Sequence, residues 1–199
     1  MIETGSIKFA CEHVAVELAP FAAFEDLNAC RRKLLELRVL GVDVRGIGFG
    51  NLSARDAATR TFHVSGSGTG GKAELTLRDY ARVTAYDFEE NEVRCEGVAV
   101  ASSESLTHAA VYEAEPAVGA VIHGHSRLLA RRRDAAIPTT DAEVEYGTPA
   151  MAREVQRLFR ETDVRERQVF LMGGHEDGFV TFGSTVEHAL AVLIKHLRD

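Results

Sequence analysis

The chain has 199 residues, 45% of them hydrophobic, and is therefore long enough to bury one hydrophobic core. Its formal net charge of -7 argues against nucleic-acid partners, because such binding depends on a concentrated basic surface. No apolar stretch approaches the roughly 20 residues that span a bilayer, so no membrane partner is expected. Acidic residues interrupt the first twenty positions, and the three cysteines form no C-x-x-C pair. We therefore expect a cytoplasmic protein with a single domain over 1–199, in which 1–25 form an extension packed on or beside it.

The first predicted element is an amphipathic helix with Asp26 as its N-cap and Gly41 as its end. Leu27, Cys30, Leu34 and Leu37 recur at helical spacing along it. Two strands, 46–55 and 61–65, follow as an antiparallel pair. The next segment, 66–71, is a glycine-rich loop.

The middle of the chain alternates short strands and helices. Thr76 and Asp79 have the spacing of a capping box that opens a short helix. Ser102 or Ser103 is expected to cap a helix that ends near Ala114, before Pro116. Strands are predicted at 83–88, 93–95 and 118–123.

The last third continues this alternation. Thr148 and Pro149 suit the N-cap and N1 positions of a helix. Strands at 168–172 and 178–182 follow, and Thr185 caps a final helix over 186–197. The order of elements lacks strict β-α-β regularity, and we therefore expect a mixed sheet covered by helices rather than a Rossmann domain.

Three histidines are candidate metal ligands. His123 and His125 are two residues apart on a predicted strand, so both side chains point to the same side. His175 lies in a glycine-flanked turn between two apolar strands. Taken alone, the H-x-H pair is more often an ordinary pair of strand-end histidines. Together with His175 it would leave an open coordination position for substrate or water.

A candidate anion site lies at the start of the predicted helix after residue 101. Ser102, Ser103 and Glu104 stand where unpaired backbone N–H groups and the helix dipole favour an anion. Simple helix capping is the alternative for the serines, and dipole stabilisation is the alternative for Glu104.

The glycine-rich loop permits two interpretations. Its glycines allow backbone amides to approach a phosphate closely. Gly66, Gly71 and Lys72 also match most of a Walker A pattern, but Ala73 replaces the hydroxyl residue that would bind magnesium. A nucleotide-binding loop is therefore the weaker interpretation.

Six motifs occur in the order and approximate spacing of the class II aldolase/adducin family, which the chain resembles over roughly residues 26 to 197. They are Gly50-Asn51-Leu52-Ser53, Ser65-Gly66-Ser67-Gly68-Thr69, Ser102-Ser103-Glu104, His123-Gly124-His125, Tyr146-Gly147-Thr148 and the His175 loop. The resemblance implies an α/β fold, a three-layer α/β/α sandwich with a mixed, largely antiparallel central sheet. It also implies a homo-oligomer, usually a C4-type tetramer with active sites between subunits.

The same resemblance implies a metal-dependent lyase of the aldolase type. Its substrate would be a small sugar phosphate or hydroxy-carbonyl compound, cleaved through a metal-stabilised enediolate. Glu104 would be the catalytic acid/base, and Zn²⁺, with Mn²⁺ or Co²⁺ as alternatives, would be bound once per subunit. The metal ligands would be His123, His125 and His175, and the phosphate ligands would be Asn51, Ser67, Gly68, Ser102 and Ser103.

Related reactions remain open at this point. The family also contains epimerases, dehydratases and the non-catalytic adducin module. Its sugar-phosphate aldolases commonly have a catalytic tyrosine shortly before the aromatic-Gly-Thr motif, where this chain has Glu143, Val144 and Glu145. The sequence therefore has no tyrosine at the family's usual catalytic position.

Overall fold

A computed structural model describes residues 7–56, 59–132 and 137–198, so residues 1–6 of the expected N-terminal extension lie outside it. In chain order the strands are β1 (Ala10–Val14), β2 (Gly41–Val42), β3 (Gly48–Phe49), β4 (Asn51–Arg55), β5 (Phe62–Ser65), β6 (Tyr80–Asp87), β7 (Glu92–Glu96), β8 (Ala120–His125), β9 (Val169–Leu171) and β10 (Gly178–Gly183). The helices are α1 (Phe24–Glu36), α2 (Ser105–Ala114), α3 (Arg127–Ala130), α4 (Pro149–Glu161), α5 (Val164–Arg167) and α6 (Val186–Arg198), with a 3₁₀ helix at Leu77–Asp79.

Eight strands form one sheet in the order β1-β7-β6-β5-β4-β8-β10-β9. The β1–β7 pair is parallel, and the other neighbouring pairs of this sheet are antiparallel. Strands β2 and β3 form a separate antiparallel hairpin, called here the β2–β3 hairpin. The predicted mixed, largely antiparallel sheet is thus confirmed.

Helices cover both faces of the sheet. On one face, Leu106 of α2 and Val155 of α4 share a hydrophobic core with strand residues such as Val121. On the other, Leu34 of α1 and Leu193 of α6 pack with the opposite side of the same strands. Neighbouring strand residues alternate between the two cores, as the two-residue period of a strand requires. The architecture is therefore the expected three-layer α/β/α sandwich.

Several helix ends agree with the sequence patterns. The Thr148 hydroxyl accepts a hydrogen bond from the Met151 amide, and Pro149 is the first residue of α4. The Thr185 hydroxyl likewise accepts from the His188 amide at the start of α6. Thr76 forms its capping box with Asp79, although the helix it opens is only a 3₁₀ turn.

The predicted boundaries of α1 were wrong. Its N-cap is Ala23, so Asp26 lies inside the first turn, where its charge still favours the helix dipole. The helix ends before Arg38, which adopts a left-handed conformation with φ of 57°, and Gly41 instead begins strand β2. The residue types near the end of α1 did not predict that Arg38, which is not a glycine, would adopt the left-handed conformation that ends the helix.

The predicted strand 46–55 is interrupted at Gly50. Its φ is +77°, and a Cβ there would lie 2.6 Å from the Leu40 side chain and 3.1 Å from the His123 carbonyl oxygen. Glycine is required at this position for both reasons. The break separates the β2–β3 hairpin from the main sheet. Strand 118–123 also differs, since β8 extends through His125.

The beginning of the chain contributes a strand that the sequence patterns did not predict. Strand β1 pairs with β7 from Ala10↔Glu92 to Val14↔Glu96 and so becomes the edge of the sheet. The Asn91 side chain donates to the Lys8 carbonyl at 2.7 Å, which fixes the chain just before β1. Among the described residues, no helix is long and apolar enough to cross a membrane.

Candidate active site

Strand β8 positions the first two histidines at the centre of the sheet. It lies between β4 and β10, and His123 is paired with Asn51 on one side and Val180 on the other. Val121, on the same face of the strand, packs in the core beneath α2. His123 and His125 therefore point toward the helix layer that contains α2.

His175 reaches the same place from the turn between β9 and β10. The turn is closed by hydrogen bonds from the His175 amide to Met172 and from the Gly178 amide to the His175 carbonyl. The Nε2 atoms of His125 and His175 are 3.0 Å apart, and one ligand atom from each of the three imidazoles lies within 4.8 Å of the others. Residues from distant parts of the chain therefore form one cluster that could hold a metal ion.

The protonation states suit metal binding. His123 Nδ1 donates to the Phe179 carbonyl at 2.9 Å, which leaves Nε2 as the free acceptor. Burial lowers the pKa of His123 and of His175 to about 3, and burial also lowers the pKa of His125. All three rings are neutral near pH 7, which is the form of imidazole that binds a metal.

Glu104 is the N-cap of α2 and is only 2% exposed. The Thr107 hydroxyl donates to its Oε2 at 2.8 Å, whereas Oε1 is buried without a partner among the described residues. Burial raises the pKa of Glu104, while the nearby His175 and Lys8 oppose this effect. A buried carboxylate oxygen without a partner is costly and fits a site completed by a cation or a donor hydroxyl.

The expected helix cap by Ser102 or Ser103 is wrong, because α2 begins one residue later with Glu104 at the cap. Ser102 instead accepts hydrogen bonds through its carbonyl from the amide and hydroxyl of Ser105. Its own hydroxyl has only a 3.4 Å contact with the Glu104 amide. The serine hydroxyls are therefore not needed to cap this helix.

A single cleft of about 860 Å³ contains the predicted site. Its lining includes the three histidines, Glu104, and the residues expected to bind phosphate, namely Asn51, Ser67, Gly68, Ser102 and Ser103. Asn51 Oδ1 is buried without a partner in the described part of the chain. The Ser67 amide is already bonded to the Val100 carbonyl, which leaves the Ser67 hydroxyl as its remaining donor.

Three residues near the histidines were not identified from the sequence as contacts. The Tyr146 ring lies 4.4 Å from the His175 ring, and the Phe49 ring lies 5.1 Å from the His125 ring. The Lys8 ammonium lies 4.0 Å from the Tyr146 ring centre and 2.8 Å from Glu145. Of these three, only Tyr146 belongs to a motif that the sequence analysis had identified. Phe49 and Lys8 come close to the histidines because the β2–β3 hairpin and the start of the chain fold back toward the cleft, which the sequence patterns did not predict.

A buried polar network lies behind the site. His108 Nδ1 and the Tyr112 hydroxyl are each 2.7 Å from the Ser53 hydroxyl. His108 is completely buried, its Nε2 has no partner in the described residues, and its charge would repel that of His123. The network links α2 to the strand next to β8.

The structure argues against a nucleotide-binding loop at 66–72. Residues 66–79 are all described, and no α-helix follows Lys72 among them. The next helical turn is the 3₁₀ helix at Leu77–Asp79. The Lys72 ammonium lies 2.5 Å from Asp79, and Lys72 is not among the residues that line the cleft. The Walker A resemblance therefore has no structural counterpart.

Known proteins resemble this chain in sequence pattern and in fold. A family model described as Class II Aldolase and Adducin N-terminal domain matches residues 43–196. An L-fuculose 1-phosphate aldolase structure is 17% identical, with 92% of this chain and 87% of that chain covered at a TM-score of 0.68. The enzyme of that name from Thermus thermophilus is 18% identical, with 88% and 89% covered at 0.63. A sugar-phosphate aldolase from Thermotoga maritima is 11% identical, with 88% and 92% covered at 0.62. At these identities, the structural similarities establish the fold.

Proposed function

Because the chain belongs to the class II aldolase and adducin N-terminal domain family, we propose that it is a metal-dependent, aldolase-type lyase. The proposed substrate is a small sugar phosphate or hydroxy-carbonyl compound. One observation carries the proposal, namely the convergence of three imidazoles and one buried carboxylate in a single cleft.

In this proposal His123, His125 and His175 hold one divalent ion per subunit, with Zn²⁺ preferred and Mn²⁺ or Co²⁺ as alternatives. Support comes from the clustered ligand atoms and from the hydrogen bond of His123 to Phe179, which orients the ring. A bound ion would supply Lewis acidity for the carbonyl and hydroxyl oxygens of a substrate, as enediolate chemistry requires.

Glu104 is the proposed proton-transfer residue. Burial raises its pKa toward the range in which a carboxyl group can both accept and donate a proton. The Thr107 hydrogen bond holds one carboxylate oxygen, so the unpartnered Oε1 is the one left to move the proton.

The proposed phosphate contacts are Asn51, Ser67, Gly68, Ser102 and Ser103. Their support is their position along the same cleft as the histidines. The start of α2 adds the positive end of the helix dipole, which favours an anion. These groups would hold the phosphate while the metal and Glu104 act on the carbonyl end.

We also propose a cytoplasmic homotetramer. Val42, Val44 and Leu128 line the cleft and are 52%, 104% and 53% exposed. Apolar side chains at the mouth of a cleft suit contact with a neighbouring subunit.

The first experiment is metal analysis of the purified chain, followed by substitution of single histidines. His123→Ala and His175→Ala are each expected to lose the stoichiometric ion. His188→Ala is the matched control, because His188 is exposed and bonded to Ser184 outside the cleft. Retention of a full complement of metal by both folded cleft variants contradicts the proposed ligands.

The second experiment identifies the reaction. A panel of ketose phosphates and hydroxy-keto acids is incubated with the metal-loaded chain, and the products are analysed. Release of an aldehyde fragment supports aldol cleavage, whereas an intact isomer or a dehydrated product indicates an epimerase or a dehydratase. Binding of neither metal nor substrate by the folded chain would instead support the non-catalytic, adducin-like alternative.

A further inference from the structure

Arg31 of α1 is a completely buried cation. Its Nε donates to the Lys72 carbonyl at 2.7 Å, and its Nη2 donates to the carbonyls of Thr69 and Gly70 at 2.5 and 2.8 Å. Nη1 is buried with no partner in the described residues. Each hydrogen bond that the structure gives this guanidinium therefore goes to the backbone of one loop. These bonds offset part of the free-energy cost of burying the charge.

Arg31 holds the glycine-rich loop 66–71 together with Lys72, the residue that follows it. Thr69 bonds back to the Gly66 carbonyl through both its amide and its hydroxyl, which closes a tight turn around Ser67 and Gly68. Those two residues line the cleft, whereas Arg31 does not. Arg31 thus contacts the far side of the turn that faces the site.

The loop is confined from two sides. On the side of the β2–β3 hairpin, a Cβ at Gly70 would lie 2.5 Å from the backbone nitrogen and oxygen of Phe49. Asn28, one turn before Arg31, bonds both the carbonyl and the amide of Leu75 at 2.9 and 3.3 Å. Helix α1 therefore holds the loop at Thr69, Gly70 and Lys72 and the chain just beyond it at Leu75.

We propose that Arg31 is a positioning residue for the substrate's phosphate group, an inference that rests on the proposed phosphate contacts of Ser67 and Gly68. It holds the turn in its binding conformation before the anion arrives, which lowers the entropic cost of binding. Its positive charge, whose hydrogen bonds within the described residues all go to carbonyl oxygens, also lies behind the turn. Asp79 offsets part of this charge, and the remainder favours an anion in the cleft.

The test uses the full-length, metal-loaded chain with inorganic phosphate as the probe. Arg31→Gln is expected to weaken phosphate binding about tenfold, equivalent to about 1.4 kcal/mol, and Arg31→Lys is expected to recover part of the loss. Arg32→Gln is the matched control, since the neighbouring Arg32 is exposed and pairs with Glu74. Ser67→Ala should also weaken binding, which locates the phosphate at the loop.

Kinetics separate positioning from general destabilisation. For a phosphorylated substrate, Arg31→Gln should raise KM about tenfold with little change in kcat, because the lost interaction is uniform binding. An otherwise identical substrate without phosphate should be unaffected, and the metal content should stay the same. Equal loss for both substrates, or loss of metal, would overturn the proposal.

Hydrogen exchange of the unsubstituted chain provides a measurement that does not depend on a variant folding. The amides of Thr69 and Lys72 are expected to exchange slowly without phosphate, because the loop is already ordered. Fast exchange that slows only when phosphate is added overturns the positioning role. If the wild-type chain binds phosphate and Arg31→Gln binds it equally well, only the inference about Arg31 fails. If the wild-type chain binds no phosphate, the proposed phosphate site fails with it.

Discussion

Replacing His108 with glutamine is expected to reduce the acid sensitivity of the metal-free chain. The His108 ring is completely buried, and burial lowers its pKa from a usual value of 6.5 to about 3. In the unfolded chain the ring is in water and binds a proton near pH 6.5. The unfolded state therefore binds more protons than the folded state between these two values, and the free energy of unfolding must fall as the pH falls through that window.

The size of this effect follows from the two pKa values. At about pH 5.5 the unfolded His108 is mostly protonated and the folded His108 is neutral, which costs about 1.4 kcal/mol of stability relative to about pH 8. Glu104 acts in the opposite sense, because its raised pKa lets the folded state bind a proton that the unfolded state releases. His108→Gln leaves Glu104 unchanged, so its contribution cancels in a comparison of the two proteins.

The assay is urea-induced unfolding in the presence of a chelator at both pH values. His108→Gln should be less stable than the wild type near pH 8 by about 1–3 kcal/mol, because its contact with Ser53 is disturbed in the core. The difference should shrink by about 1.4 kcal/mol near pH 5.5. Equal pH dependence of the two proteins would refute the buried, neutral state of His108.

Three further outcomes concern the site. Glu104→Gln should keep its metal, measured by elemental analysis, but lose about 10²- to 10⁴-fold in turnover, and a loss of less than about tenfold would contradict a proton-transfer role. Tyr146→Ala should weaken metal binding in a chelator competition, because the ring packed on His175 is removed, whereas unchanged affinity would show that this packing does not hold the ligand. Adding metal at about a hundredfold excess over Kd should stabilise the chain by about 2.7 kcal/mol in thermal unfolding, and His175→Ala should show no such gain.

Much of the fold could be predicted from local patterns. Helix α4 has a threonine cap, a proline in its first position and a regular apolar stripe, and each of these acts within a few residues. Helix α1 was placed with errors at both ends. At its C-terminal end the cause is the left-handed conformation of Arg38, which leaves no signature in residue type. Strand β1 was missed for a different reason, since its pairing with β7 joins segments that are distant in the chain.

In the candidate site, too, the features set by local sequence patterns could be predicted, whereas those set by contacts between distant segments could not. His123 and His125 could be related to each other by strand periodicity, and their proximity to His175 was expected from the family resemblance. Arg31 could not be identified, because an arginine in a predicted helix is ordinarily a solvated residue. Its importance depends on the loop that packs against it, which only the tertiary structure places there.

Strand β1 has a consequence for experiments that alter the start of the chain. It covers the backbone N–H and C=O groups along one side of β7, so shortening the chain past Val14 would leave that side bare. An uncovered strand of this kind is a template for pairing with another molecule, and such a truncated protein should self-associate. It would also lack the Lys8 ammonium, which lies beside Tyr146 and whose charge opposes the rise in the pKa of Glu104, so one deletion would affect both the sheet edge and the candidate site.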